Sequence, residues 1–246
     1  MSGVPYKHTL GALLDEMDGE RPVYHAALVQ GTDEWLAARC GLLTASEMDR
    51  IMTPTLKVSA NDKSRAHVLE MAAQRITRHV EPRYIGDDML RGMDDEHEMR
   101  RLYSEHYATA ATVGFVTRRF DGFTIGYSPD GLVGDDGLIE GKSRRQRFQV
   151  QTIASHTMPA DYVLQVQTGL LVTGRKWLDF ISYSAGLPMV TIRVLPDPEI
   201  HAAILDAAAS FEQQVATIVD AYNATVGSDA RLIPTDRTDS EGMIYG

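Results

Sequence analysis

A single cysteine, Cys40, stands in this chain of 246 residues. An intrachain disulfide is therefore excluded, and so is a zinc site built from several thiolates. No apolar run approaches the roughly 18 to 20 residues that a membrane-crossing helix requires, so no membrane association is expected. The first residues lack the basic stretch and apolar stretch of a secretion signal. These absences predict a cytoplasmic protein. Positive charge is also scarce. Lys and Arg total 24 against 34 Asp and Glu, a formal net charge of −10. That balance argues against a protein that coats nucleic acid at large, because phosphate contacts need cations. A local basic groove stays open to it, since Arg144, Arg145 and Arg147 stand together. There is no internal repeat, no Walker-type phosphate loop and no GxSxG nucleophile elbow.

What is present suits one globular domain with appendages. Hydrophobic residues make up 43% and charged residues 24%. Residues 1–29 read as an N-terminal arm with one short helix carrying Leu10, Leu13, Leu14 and Met17. Residues 30–222 read as the main domain, and residues 223–246, which lose periodicity, as a loose tail.

The most informative stretch is Gly126 to Lys142. Gly131 and Gly134-Asp135-Asp136-Gly137 are turn chemistry, so the stretch predicts two strands and a turn. Alternation along the second strand sends Ile139 to one face and Glu140 with Lys142 to the other. The hairpin would bring Asp130 beside that pair. Two carboxylates and an ammonium at one point suit a hard divalent cation. They equally suit an ordinary acidic hairpin with a surface ion pair, and these residues alone leave both readings open.

Before this stretch, Gly31 to Arg39 predicts a helix with Thr32 or Asp33 as its cap and a buried face of Trp35 and Leu36. Gly41 ends it. Thr44 and Glu47 have capping-box spacing and predict a second helix. Arg39 and Ser46 then flank one tight turn, a place suited to a phosphate. A surface ion pair and a simple cap explain the same residues. Residues 53–63 read as a loop, and Ser64 to His79 as a helix ended by Pro82. From Asp88 to Tyr107, the spacing of Met89, Met93, Glu96, Arg100, Tyr103 and Tyr107 predicts one helix face. Glu96 on that stripe needs a partner, either Arg100 or a metal.

Val113 to Arg119, Phe123 to Ser128 and Leu138 to Lys142 predict a three-stranded meander. A polar, basic connection over 143–158 follows, then a helix over Ala160 to Thr173 with Tyr162, Gln165 and Gly169 on one face. Trp177 to Ser184 and Met189 to Val194 predict strands. A long amphipathic helix starts near Ile200 and runs to Tyr222.

This order resembles the core of the PD-(D/E)xK nuclease superfamily, with Pro129-Asp130 followed by Glu140-Gly141-Lys142. The flanks sharpen the resemblance: Trp35 to Glu47, Arg91-Gly92 with Glu96, Ser128-Pro129-Asp130-Gly131, and Tyr162 to Gln167. They occur in the order of the YqaJ-like viral recombinase family, to which bacteriophage lambda exonuclease belongs. The resemblance covers roughly residues 30 to 184. It implies an α/β, restriction-endonuclease-like core: a central mixed sheet, order αβββαβ, flanked by helices.

The resemblance further implies a 5′-to-3′ exonuclease on linear duplex DNA ends. It would use two Mg²⁺ ions, with Mn²⁺ able to substitute. It would form a homotrimeric ring and work beside a single-strand annealing protein in a bacterial host cell. Asp130, Glu140 and the Gly141 carbonyl resemble metal ligands, and Glu96 the further carboxylate. Lys142 resembles the residue that orients the attacking water. Arg39, Ser46 and Ser128 resemble the 5′-phosphate pocket, and Tyr162 with Gln165 the helix that approaches the scissile bond. Two departures stand out. Gly141 replaces a bulky apolar residue, and residues 53–63 lack a wedge arginine, leaving Lys57 or Lys63 as substitutes. The alternatives are an endonuclease or single-strand nuclease of the same core, or a catalytically inactive DNA-end-binding protein.

Overall fold

The computed structural model describes residues 19–81, 86–229 and 231–237, and for residues 87–89 the backbone alone. The predicted helix around Leu10 to Met17 lies outside the described residues, and so does Pro82. The elements, in chain order, begin with β1 (Val23–His25), α1 (Asp33–Arg39), β2 (Leu43–Thr44), a 3₁₀ turn (Ala45–Glu47), α2 (Met48–Ile51), α3 (Asp62–Thr77) and α4 (Asp87–His106). Then come β3 (Ala110–Ala111), β4 (Phe115–Phe120), β5 (Phe123–Tyr127), β6 (Gly131–Val133) and β7 (Gly137–Ser143). The chain continues with α5 (Gln146–Ser155), a 3₁₀ turn (Ala160–Tyr162), α6 (Val163–Thr173), β8 (Trp177–Tyr183), β9 (Val190–Val194) and α7 (Pro198–Ser228).

The mixed α/β class is as expected, but the meander is divided between two sheets. One has the order β1-β4-β5-β2 and the other β3-β6-β7-β8-β9. Both are mixed: β2 runs parallel to β5, β7 runs parallel to β8, and the remaining pairs are antiparallel. The division falls at Ser128-Pro129-Asp130, between β5 and β6. Pro129 has no N–H to donate to a ladder, so pairing with β4 stops there and pairing with β7 starts beyond it. That gap in the ladder is where the candidate side chains gather.

Part of the N-terminal arm belongs to the sheet, since Val23 to His25 pair with Thr117 to Phe115 at the edge of β4. The long C-terminal helix runs past Tyr222 to Ser228. The stretch from Leu43 forms the short strand β2 and a 3₁₀ turn before α2, where one helix was expected. Residues 143–158 are not a connection but contain α5. Its buried residues are Gln149 and Thr152, while Phe148 and Val150 are exposed. A helix anchored through polar groups leaves no apolar period to read. Gln149 donates to the carbonyls of Ser182 and Pro188 at 2.9 and 2.7 Å and accepts from the Ser182 hydroxyl at 2.5 Å.

The α4 stripe is rotated from its expected position. Met99 and Tyr103 are buried, whereas Met93 and Tyr107 are exposed. Tyr103 instead donates to the buried Asp179 at 2.7 Å, which Arg193 also holds. The main core lies between α6, α7, α3 and the two sheets, with Leu43, Val116, Ile125, Leu138, Leu170, Phe180 and Phe211 fully or almost fully buried. A smaller core of Met99, Tyr103, Val133, Ile139 and Ile181 fixes α4 to the second sheet. Among the described residues no helix is long and apolar enough to cross a membrane.

Candidate active site

Two residue groups meet at the gap between the sheets. The first is acidic and centres on β7. Register places Gly131 opposite Ile139, so β6 ends its pairing just before Glu140. The Gly141 N–H, left without a strand partner on that side, donates to Asp130 Oδ2 at 2.6 Å. A residue's N–H and C=O point to the same strand edge, so the Gly141 carbonyl faces the same gap. Glu140 is 2% exposed. Its Oε1 accepts from Lys142 Nζ at 2.8 Å and Gln165 Nε2 at 2.6 Å, and its Oε2 accepts from the Tyr127 hydroxyl at 2.7 Å. Asp130, Glu140 and Lys142 are thus brought together as the hairpin predicted, with Gln165 added from α6.

Burial, with the facing Glu140 and Glu96 carboxylates, pushes the Asp130 carboxyl well above the usual Asp range. Burial works against the Lys142 ammonium, but Glu140 and Asp130 outweigh it and lift its pKa above the ordinary Lys value. The lysine is therefore a cation here. Burial and Glu140 likewise keep the Tyr127 phenol protonated, as a donor. Glu96 is ion-paired with Arg100, one turn along α4, as the plain structural reading of that pair required. Arg100 also donates to the Asp130 carbonyl at 2.7 Å. The pair therefore straps α4 to the Asp130–Glu140 hairpin and still leaves Glu96 close enough to act on Asp130. Among the described residues no three His, Cys, Asp or Glu side chains form a ready metal cluster.

The glycine at position 141 has a structural reason. A Cβ there would lie 2.8 Å from Met99 Sδ. The thioether from α4 fills the room a side chain would occupy. Gly169 on α6 is also demanded by close approach, since its Cβ would lie 2.7 Å from the Tyr127 ring. The bare helix surface seats that ring and aims its hydroxyl at Glu140.

The second group is cationic and hydroxylic. Thr32 caps α1, and Arg39 in its last turn donates to Ser128 Oγ and Thr44 Oγ1, each at 3.2 Å. Thr44 Oγ1 is 3.4 Å from the Ser46 hydroxyl. Glu47 takes both the Thr44 amide and its hydroxyl, at 3.2 and 2.7 Å, so the capping box is formed. Trp35 does not bury a helix face, because α1 has no buried residue. Its indole N–H donates to Gly114 O at 3.0 Å and Ser128 Oγ at 3.1 Å, and its ring lies under the Arg39 guanidinium at 4.4 Å. Arg39, Ser46 and Ser128 therefore meet as expected.

Both groups line one cleft of about 210 Å³, which includes Arg39, Ser46, Ser128, Asp130, Glu140, Lys142 and Gln165. Tyr162 borders the adjoining cleft, which shares Ser46 and Gln165. Tyr127, Trp35, Thr44, Gln30 and Arg100 are further participants that the sequence reading missed as site residues. Tyr127 stood in the quoted hairpin one residue before Ser128, so its place was a usable signal. Gln30, which donates to the Pro129 carbonyl at 3.2 Å, had none. Cys40 is not part of the site. Burial raises its thiol pKa, and the Sγ–H meets the Gln74 carbonyl. Lys63 is engaged with Asp49 at 2.6 Å, and Lys57 is exposed in its loop.

The model of the YqaJ-like viral recombinase domain matches residues 34–176. An alkaline exonuclease from Laribacter hongkongensis is 30% identical, with a TM-score of 0.71 over 80% of this chain and 98% of that one. Its complex with dAMP aligns with a TM-score of 0.70 at the same identity and coverage. A phage-related exonuclease from Haemophilus somnus is 15% identical over 74% of this chain and 96% of that one, with a TM-score of 0.53, and shares the fold. No curated protein sequence is significantly similar. The domain match spans more than half of the chain and contains both residue groups of the cleft, and the chain belongs to the YqaJ-like viral recombinase family.

Proposed function

We propose that this chain is a metal-dependent 5′-to-3′ exonuclease that digests one strand of linear duplex DNA to mononucleotides. The observation that carries this reading is the single cleft in which a guanidinium–hydroxyl group and a carboxylate–ammonium group face each other. A terminal phosphate fits the first group: Arg39 supplies charge and forked donors, and Ser46 and Ser128 supply hydroxyls. A phosphodiester one nucleotide inward then lies at the second group. Polarity follows, because the newly exposed 5′ phosphate re-enters the same anchor after each cut.

The donor set fits Mg²⁺. It is all oxygen, and Mg²⁺ commonly takes one or two carboxylates and completes its shell with water and substrate phosphates. Asp130, Glu140 and the Gly141 carbonyl would hold it, with Glu96 bordering a second position. Burial, and after it the Glu140 and Glu96 carboxylates, raise the Asp130 pKa, and a cation there would favour its charged form. When bound, the metal lowers the pKa of water and polarises the phosphate. The chain's own residues do the rest. Tyr127 and Gln165 fix the Glu140 carboxylate, and Lys142 holds a water or phosphate oxygen by charge and hydrogen bonding.

A ring of three copies around the product strand would supply processivity without strong static binding, and an annealing protein would take the exposed strand. The family relation and the exonuclease relatives support the nuclease class.

The test is end-labelled linear duplex incubated with Mg²⁺ and then with EDTA. Release of 5′ mononucleotides only with metal is expected. Cutting of covalently closed circles would establish an endonuclease instead. Asp130→Ala, Glu140→Ala and Lys142→Ala should abolish cleavage with DNA-end binding retained, and full activity in any of them ends the assignment. Arg39→Ala should erase the preference for phosphorylated 5′ ends.

A further inference from the structure

Immediately beyond Glu140 the chain changes character. Residues 141–160 contain no Asp or Glu, yet carry Lys142, Arg144, Arg145 and Arg147, in a protein whose net charge is −10. The fold turns this stretch into a track. Lys142 Nζ lies 5.5 Å from the Tyr162 ring centroid. Arg144 donates to the Tyr162 hydroxyl at 2.7 Å and sits between the Tyr162 and Phe148 rings, at 5.2 and 5.1 Å. Arg147 lies 4.5 Å over the Phe148 ring. Cations and rings thus alternate from the catalytic lysine outward along α5.

The outer end of the track, residues 145–148, is exposed. Phe148 is 36% exposed and Val150 54% exposed, on a helix held down by Gln149 and Thr152. Arg144 Nε is buried with no hydrogen-bond acceptor. Alternating aromatic faces and cations are the pattern that binds unpaired bases and their phosphates. A duplex, with its bases stacked inside, makes no use of the rings.

We propose that the outer face of α5, with Tyr162, carries a single DNA strand between the catalytic cleft and the surface, a base stacking on Phe148 and phosphates meeting Arg145 and Arg147. The inference rests on the exonuclease reading and adds a strand path to it.

The experiment measures binding of a fluorescent single-stranded oligothymidylate to the full chain in EDTA, across salt concentration, for wild type, Phe148→Leu, Phe148→Trp and Arg147→Ala. Phe148→Leu keeps the apolar bulk but has no ring, and should weaken binding about tenfold. Phe148→Trp should restore it. Arg147→Ala should flatten the slope of log affinity against log salt by about 0.7. All variants should still release a nucleotide from a short phosphorylated duplex. Unchanged single-strand affinity in Phe148→Leu and Arg147→Ala, with wild type cleaving normally, overturns the track. Equal losses on duplex and single strand overturn the choice of strand. A changed oligomeric state in Phe148→Leu with unchanged DNA affinity makes α5 a contact between copies and also overturns it. Failure of wild type to cleave DNA with Mg²⁺ strikes the exonuclease reading itself.

Discussion

Tyr127→Phe removes one oxygen and nothing else. The ring remains seated on Gly169, and apolar packing is preserved. What is lost is the donor to Glu140 Oε2, at 2.7 Å, on a carboxylate 2% exposed to solvent. Lys142 and Gln165 both serve the other oxygen, so Oε2 is left buried without a partner. A hydrogen bond to a charged group contributes about 1.5–3 kcal/mol. For a chain of this size that corresponds to a fall in Tm of roughly 3–12 °C. Thermal and urea unfolding in EDTA measure it. Mg²⁺ should then narrow the gap between variant and wild type, because a cation at Asp130 and Glu140 takes the freed oxygen and binding to the folded state alone stabilises it. Wild-type stability in EDTA would refute the assignment of Tyr127 as the Glu140 anchor. An identical deficit with and without Mg²⁺ would refute a cation at Glu140.

Asp130→Asn tests the charge crowding directly. Asp130 holds its proton more tightly folded than unfolded, so its contribution to stability is complete below the ordinary Asp value of 3.8 and is lost as pH rises. In EDTA the Asn variant should therefore outlast wild type at pH 7 and match it near pH 4, as read from unfolding midpoints, while its nuclease activity is gone. Gly169→Ala gains helix propensity but drives a Cβ into the Tyr127 ring. Activity with Mg²⁺ should fall and Phe in place of Tyr127 should add little further loss, which a double-mutant cycle on initial rates measures. Gln149→Leu leaves the Ser182 and Pro188 carbonyls without their donor and should cost about 1–3 kcal/mol in urea unfolding.

Local chemistry made much of this protein legible in the sequence. Turn glycines and strand alternation located the Asp130–Glu140–Lys142 hairpin, because both act over a few residues. The Thr44–Glu47 capping box was readable for the same reason. Elements with an apolar period, such as α3, α6 and α7, were found within a few residues. Among the elements that escaped are α5, whose buried face is Gln149 and Thr152, and β1, whose three residues gain their meaning only beside β4. The stripe on α4 was rotated because Met93 and Tyr107 are apolar yet find no core to cover them.

Only the tertiary structure decided which long-range partners meet. Pro129 breaks one ladder and starts another, and that break joins Arg39, about ninety positions upstream, to Ser128 at 3.2 Å. It also lets the Gly141 N–H reach Asp130. The sequence by itself determined which chemical groups were available, a hairpin with two acids and a lysine that suits a metal site and a surface ion pair equally. The fold decided their burial and their partners. Tyr127, Gln165 and Lys142 come from β5, α6 and β7 to wall in the buried Glu140, and their hydrogen bonds fix the direction of its carboxylate.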